Sequence, residues 1–275
     1  MAFFTTSDDR RLFFDDIGTG TPVLCLAGLT RNSQDFAFLA PHITDVRMIT
    51  MDYRGRGQSD HDPDYMNYNI IRESLDVIEL LDHLGLDRAV VLGTSRGGLI
   101  AMALAVSHPE RLSGVILNDV GPVIDPVGIA KIMDYVGKQP TSKTYDEAAI
   151  ILQQVMGQQF PGVSQDRWRQ QVETQYEQTE DGLTLRYDPA LRTALLEQAA
   201  AGEFPDLWMF FEALRHIPTG VIRGANSDLL GKDTLVEMHK RNPDLISAEI
   251  PDRGHVPFLD EPQSLALIRK VLDTV

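Results

Sequence analysis

The stretch AVVLGTSRGGLIAMALA, residues 89–105, places one serine among three glycines, between a β-branched apolar run and a run rich in Ala, Leu and Met. The first run reads as a strand and the second as a helix. Joining the two without a loop demands a sharp turn whose central residue is held in a strained backbone conformation. Side chains two positions to either side would collide there, which accounts for Gly93 and Gly97 around Ser95, with Gly98 allowing close helix packing. Such a turn lifts a hydroxyl above the carboxyl edge of a sheet, beside the free N–H groups of a helix start that stabilise a negatively charged oxygen. A dinucleotide loop also joins strand to helix. However, no G-x-G-x-x-G occurs in the chain, and this strand does not belong to an opening β-α-β unit.

On either side of this turn, short apolar runs alternate with helical patterns. TPVLCLAG (21–28), VRMITMD (46–52), RAVVLG (88–93), LSGVILND (112–119), TGVIRG (219–224) and ISAEI (246–250) read as strands. YNIIRESLDVIELLDHLGL (68–86) repeats apolar residues at helical spacing up to a helix-ending Gly85, and Pro262 opens a last helix. Continuous apolar strands covered by such helices predict an α/β fold with a mostly parallel sheet. From about Val123 to Ile217 the strand pattern lapses, and short amphipathic helices are expected instead, as in YDEAAIILQQVMGQQF and DLWMFFEALRH. The expected organisation is therefore a core of residues 1–122 and 218–275 with a helical insertion, 123–217.

The chain of 275 residues is 43% hydrophobic, enough to bury a full core, and its formal charge of -15 disfavours nucleic acid or an anionic membrane surface as partner. The single cysteine, Cys25, lies inside an apolar run, so no intramolecular disulfide forms and a cytoplasmic setting is expected. No apolar stretch approaches the ~20 residues that span a bilayer, and no signal-peptide core is recognisable. The acidic turn SDHDPD (59–64) lacks the full ligand spacing of a metal loop and reads as solvated, so no metal is expected.

A serine hydroxyl becomes a useful nucleophile only when a base takes its proton, so a histidine and an orienting carboxylate are required elsewhere. His255, in the loop PDRGHVPFLDEP between the last strand and the last helix, stands where such a base is needed. Asp228, in the loop after TGVIRG, is the favoured acid, and Asp119, closing LSGVILND, is its rival. The order Ser95, Asp228, His255 agrees with the chain order of this constellation in strand-turn-helix hydrolases. The backbone N–H groups of Leu29 and Arg96 are the candidate oxyanion donors. The Arg96 side chain is open to a helix-start role, a carboxylate pair or a substrate contact. Trp208 and Phe211 are candidate pocket walls, with cap-to-core packing as the plainer alternative.

From Phe13 to Val275 the sequence resembles the α/β-hydrolase superfamily, in its cap-bearing esterase, C–C hydrolase and enol-lactonase branch. The resemblance rests on GTSRGG, LAGLTRNSQDF (26–36), MDYRGRGQSD (51–60), RGANSDLL (223–230) and GHVPFLDEP (254–262). It implies an eight-stranded, mostly parallel sheet, a helical cap after the sixth strand, no cofactor, and a triad of Ser95, Asp228 and His255. Many relatives carry His-Gly where this chain has Ala27-Gly28, so a histidine side chain is missing from the oxyanion loop. Dehalogenases and epoxide hydrolases of the family carry an aspartate where Ser95 stands. The expected activity is acyl-enzyme hydrolysis of a small, largely apolar ester or lactone. C–C cleavage of a vinylogous diketone acid, with Arg96 or Arg31 as the cation, and a slow-turnover ligand sensor are the alternatives. The expected partner is a small-molecule substrate, and the chain is expected to be a monomer or homodimer.

Overall fold

The computed structural model describes residues 2–200 and 206–275. In chain order, β1 (Ala2–Thr5), β2 (Arg11–Gly18), β3 (Pro22–Leu26) and β4 (Arg47–Met51) precede α1 (Ile70–His83), β5 (Ala89–Thr94), α2 (Arg96–Ser107) and β6 (Leu112–Asn118). There follow α3 (Pro126–Tyr135), α4 (Tyr145–Met156), α5 (Gln165–Gln175), the hairpin strands β7 (Tyr176–Thr179) and β8 (Gly182–Leu185), α6 (Leu191–Ala200) and α7 (Trp208–Glu212). The chain ends with β9 (Thr219–Gly224), α8 (Lys232–Arg241), β10 (Ile246–Ile250) and α9 (Pro262–Leu272).

Eight strands form one sheet in the order β1-β2-β4-β3-β5-β6-β9-β10. The six strands read from apolar runs are its parallel members. The antiparallel edge pair β1 and β2 was not among those runs, because its residues alternate or end in charge, as in RLFFDDIG. After β3 the chain steps to β4 on one side and then returns to β5 on the other, so the carboxyl ends of β3 and β5 open a crevice at a topological switch point.

Between β6 and β9 the structure departs from the all-helical expectation, since β7 and β8 pair as an antiparallel hairpin directly after α5. The polar sequence YEQTEDGLTL carries too little apolar signal to mark a strand. Residues 201–205 of the expected insertion lie outside the described residues. The segment after β8 is stitched to the 55–57 turn by backbone bonds from Gly57 N–H to Arg186 O (2.7 Å) and from Asp188 N–H to Gly55 O (2.8 Å).

The sharp turn is as tight as its sequence requires. Ser95 sits at φ 50°, ψ -112°. A β-carbon on Gly93 would lie 2.4 Å from the backbone of Gly97, one on Gly97 2.2 Å from the Leu26 carbonyl oxygen, and one on Gly98 2.3 Å from Val120.

Beneath this turn lies a buried charge cluster that the apolar periodicity of α1 conceals. Glu73 and Asp76 sit on the buried side of α1, fully shielded from solvent. Glu73 accepts from Arg56 Nη1 at 2.7 Å and from Arg96 Nε at 2.5 Å. Asp76 takes Arg54 side-on, at 2.7 and 2.6 Å, and Asp62 and Asp8 close the shell around the same guanidinium. Burial pulls the Arg56 guanidinium below its ordinary pKa, with Glu73 opposing that pull. For Arg54, burial acts the same way, but the surrounding carboxylates outweigh it and the group lies above its ordinary value. Cys25 is fully buried, and burial pushes its thiol well above the ordinary range.

Two outcomes test this architecture. Gly97→Ala should cost at least about 3 kcal/mol, because a backbone oxygen cannot give way, whereas Gly231→Ala, with only Thr234 at 3.6 Å, should stay within about 1 kcal/mol; urea unfolding compares them. Glu73→Gln should cost about 3–5 kcal/mol by the same measurement, because two buried guanidiniums lose their counter-charge. A loss below 1 kcal/mol would show that the cluster is solvated.

Candidate active site

Three segments meet at the carboxyl edge of the sheet. Ser95 follows β5 directly, Asp119 follows β6, and His255 lies in the loop between β10 and α9. His255 Nε2 is 3.0 Å from Ser95 Oγ, and His255 Nδ1 is 2.8 Å from Asp119 Oδ2. A carboxylate offers only lone pairs, so Nδ1 carries the hydrogen in that contact and Nε2 is left to accept the Ser95 proton.

The expectation of Asp228 beside His255 is corrected by this geometry, which places Asp119 there instead. Asp119 is fully buried and held at φ 56°, and its carboxylate accepts from Gly224 N–H (2.8 Å) and Ser227 Oγ (2.6 Å) as well as from His255. In the loop after β9 it is Ser227 that turns inward. Asp228, the next residue, faces outward and accepts from Lys131 Nζ at 2.5 Å and Gln159 Nε2 at 2.7 Å. Burial raises the Asp228 pKa, but those two donors outweigh it and hold the carboxyl below its ordinary value. It thus clasps α3 and the α4–α5 connection to the sheet. The sequence signal for Asp119 was present in its place at a strand end, and chain order could not choose between the two, since both aspartates lie between Ser95 and His255.

The two candidate backbone donors come from different segments, Arg96 next to Ser95 in the chain and Leu29 from the loop after β3. Arg96 is the first residue of α2, and its N–H is one of those a helix leaves without an internal acceptor. Leu29 follows Gly28 in a turn closed by Arg31 N–H to Gly28 O (3.1 Å), and a β-carbon on Gly28 would stand 3.9 Å from that of Ser95. The motif MDYRGRGQSD holds this loop from below. Tyr53 Oη donates to Ala27 O at 3.1 Å, Arg56 Nε to Leu29 O at 3.0 Å, and Ser33 N–H reaches Asp52 Oδ1 at 2.7 Å. Burial raises the Asp52 pKa, opposed by the N–H donors of Ser33 and Gln58.

The Arg96 side chain turns away from the site to Glu73 and to Tyr68 O (3.2 Å), which removes it as the pocket cation. Trp208 and Phe211 are also corrected. Phe211 is fully buried in the main core, Trp208 packs edge-on against it at 6.0 Å, and α7 lies on α2. Their apolar faces are used up in covering the sheet's helix layer, as the plainer alternative required.

Over Ser95 and His255 lies a cavity of about 510 Å³. Gly28, Leu29 and Phe258 line it from the sheet side, and Ile132, Leu152, Met156 and Trp168 line it from α3, α4 and α5. The walls that sequence reading missed therefore belong to these three helices. Their apolar residues are as compatible with packing as with a pocket, and only the tertiary arrangement separates the two. Among the described residues, no group of three or more His, Cys, Asp or Glu side chains could hold a metal ion, and no helix is long and apolar enough to cross a membrane.

Comparison with known proteins agrees with the fold. A 3-hydroxybutyrate-oligomer hydrolase of Cupriavidus necator is 35% identical over 254 residues, 89% of this chain and 86% of that protein. A 2-(acetamidomethylene)succinate hydrolase of Mesorhizobium japonicum is 25% identical over 239 residues, 86% of this chain and 82% of its own. The crystal structure of an alpha/beta hydrolase from Novosphingobium aromaticivorans superposes with a TM-score of 0.93 at 36% identity, covering 100% of this chain and 98% of that one. A family model for the alpha/beta hydrolase fold matches residues 21–262, and the chain belongs to that family.

Proposed function

We propose that this protein is a serine hydrolase that cleaves a short carboxylic ester or lactone through an acyl-enzyme on Ser95. The observation that carries this reading is the continuous line from Ser95 Oγ through both ring nitrogens of His255 to the buried Asp119. In the proposed cycle Ser95 attacks the ester carbonyl while His255 Nε2 takes its proton, and Asp119 stabilises the imidazolium. The N–H groups of Leu29 and Arg96 receive the charge that develops on the carbonyl oxygen. His255 then returns the proton to the departing alcohol, and a water activated by the same nitrogen releases the acid.

The similarity to the Cupriavidus necator hydrolase makes short esters of 3-hydroxybutyrate the first substrates to examine. The mixed lining of the cavity, mostly apolar on α3–α5 with more polar groups near Gly28, suits such esters. The segment from β6 to α6 serves as the cap, while α7 belongs with the core it packs against. C–C cleavage loses one of its two candidate cations with Arg96 bound to Glu73.

A fluorophosphonate probe should label Ser95 alone, as mapped by mass spectrometry, and Ser95→Ala should lower ester turnover by at least about 10³-fold. Steady multiple turnover without a partner protein would count against a sensor role. Asp119→Asn should lower kcat by about 10⁴-fold, the cost of the wrong tautomer, whereas Asp228→Asn should cost less than about tenfold. The reverse ranking would return the acid to Asp228.

A further inference from the structure

The cavity wall beside Ser95 carries a charged group that the serine chemistry leaves unused. Gly28 stands between the two side chains: the point a β-carbon would occupy on it is 3.9 Å from Ser95 Cβ and 3.2 Å from Arg31 Cγ, and Arg31 and Ser95 line the same cavity. The Arg31 guanidinium is fixed from two sides. Nε and Nη2 grip Asp35, each at 2.7 Å, and Nη2 also donates to Gln171 Oε1 of α5 at 2.7 Å. Among the described residues Nη1 has no hydrogen-bond partner. The Arg31 side chain is 19% exposed and lines the cavity, and Nη1 is not buried away from solvent.

We propose that Arg31 Nη1 receives the free carboxylate of an ester substrate, so that the preferred substrates are esters whose departing alcohol is itself a hydroxy acid. A guanidinium stays charged and offers five N–H donors in fixed directions, and Asp35 and Gln171 leave only the Nη1 pair unclaimed. Because Asp35 balances the charge, the subsite selects by the direction of charge-assisted hydrogen bonds rather than by net attraction. Lys138 and Asp134, both exposed, bring one charge of each sign to the cavity lining and leave that balance intact. This inference rests on the ester-hydrolase reading. Ser95 Oγ bonds the carbonyl carbon, the carbon–alkoxy bond breaks, and the serine proton passes through His255 to the alkoxide. The departing hydroxy acid then holds its carboxylate on Arg31 while water cleaves the acyl-enzyme to the second acid. A lactone, which has no such carboxylate, makes no use of Arg31.

The test compares the linear dimer of 3-hydroxybutyrate as free acid with its N-methyl amide, following cleavage of the internal ester by chromatography, with p-nitrophenyl butyrate as reference. The wild-type protein should prefer the acid by at least about tenfold in kcat/KM, and Arg31→Gln should collapse that preference to within about threefold. A fall of acid and amide by the same factor would overturn the inference, because Arg31 would then only clasp Asp35 and α5. Should Arg31→Gln fail to fold, the wild-type ratio decides alone. Equal cleavage of acid and amide by a protein that still hydrolyses p-nitrophenyl butyrate through Ser95 overturns the carboxylate subsite and leaves the proposed function standing. Ester cleavage that survives Ser95→Ala would instead overturn the proposed function itself.

Discussion

One buried carboxylate, Glu73, ties together the two halves of the site. Its Oε2 holds the Arg96 side chain, whose backbone N–H opens α2 beside Ser95. Its Oε1 holds Arg56, whose Nε in turn fixes the Leu29 carbonyl on the opposite loop. Neither guanidinium touches the cavity chemistry. Two cations sharing one anion, with Arg56 Nη2 left without a partner among the described residues, are a poor source of stability compared with an apolar core of the same volume. The Arg56 guanidinium partly offsets this by lying over the rings of Tyr53 and Tyr68, at 5.6 and 5.4 Å. What the cluster supplies is fixity. The two proposed oxyanion donors come from segments far apart in the chain, and the charge-assisted bonds to Glu73 tie those segments together.

The turn at Ser95 and the position of Asp119 are two results of one sheet geometry. Adjacent parallel strands β5 and β6 end in register, Thr94 beside Asn118, so the next residue on each strand emerges at the same edge. Ser95 and Asp119 are those residues. Both have positive φ, at 50° and 56°, a conformation that places a side chain across the strand ends instead of along them. Each is over-determined by its surroundings, Ser95 by three glycines and Asp119 by Gly224 N–H and Ser227. His255 arrives from beyond β10 and fits between two groups that the sheet has already placed.

Six parallel strands, the sharp turn and the loop histidine were legible because each depends on local rules: continuous apolar runs, glycine around a strained residue, and punctuation by Gly and Pro. What the sequence hid was decided by distant partners. Asp228 and Asp119 both follow parallel strands, and only the inward turn of Ser227 separates their roles. Glu73 lies within an amphipathic pattern that suggests a solvated position, and it is buried because Arg56 and Arg96 converge on it. Trp208 and Phe211 showed large apolar surface but not which neighbour would take it, and α2 did. The β7–β8 hairpin forms from polar residues through backbone pairing, which leaves no apolar signature.

The two sides of the cavity are built by different physics, and this bears on what each can vary. The sheet side is held by buried ion pairs, strand register and close glycine contacts, where a change of one methyl group meets backbone. The α3–α5 side is held mainly by apolar packing, with Phe160, Trp168 and Phe258 at its centre, and by a few polar clasps such as Lys131–Asp228 and Asn32 Nδ2 to Thr174 O at 2.7 Å. Ile151 and Val155, both exposed on α4, reach the cavity lining, and apolar walls of this kind tolerate exchange of volume better than directed hydrogen bonds do. Arg31 sits at the seam, rooted in the sheet-side loop yet clasped to Gln171 of α5. A change of substrate length could therefore be accommodated on α3–α5 without disturbing Ser95, whereas a change in what the Arg31 position recognises must alter both sides together.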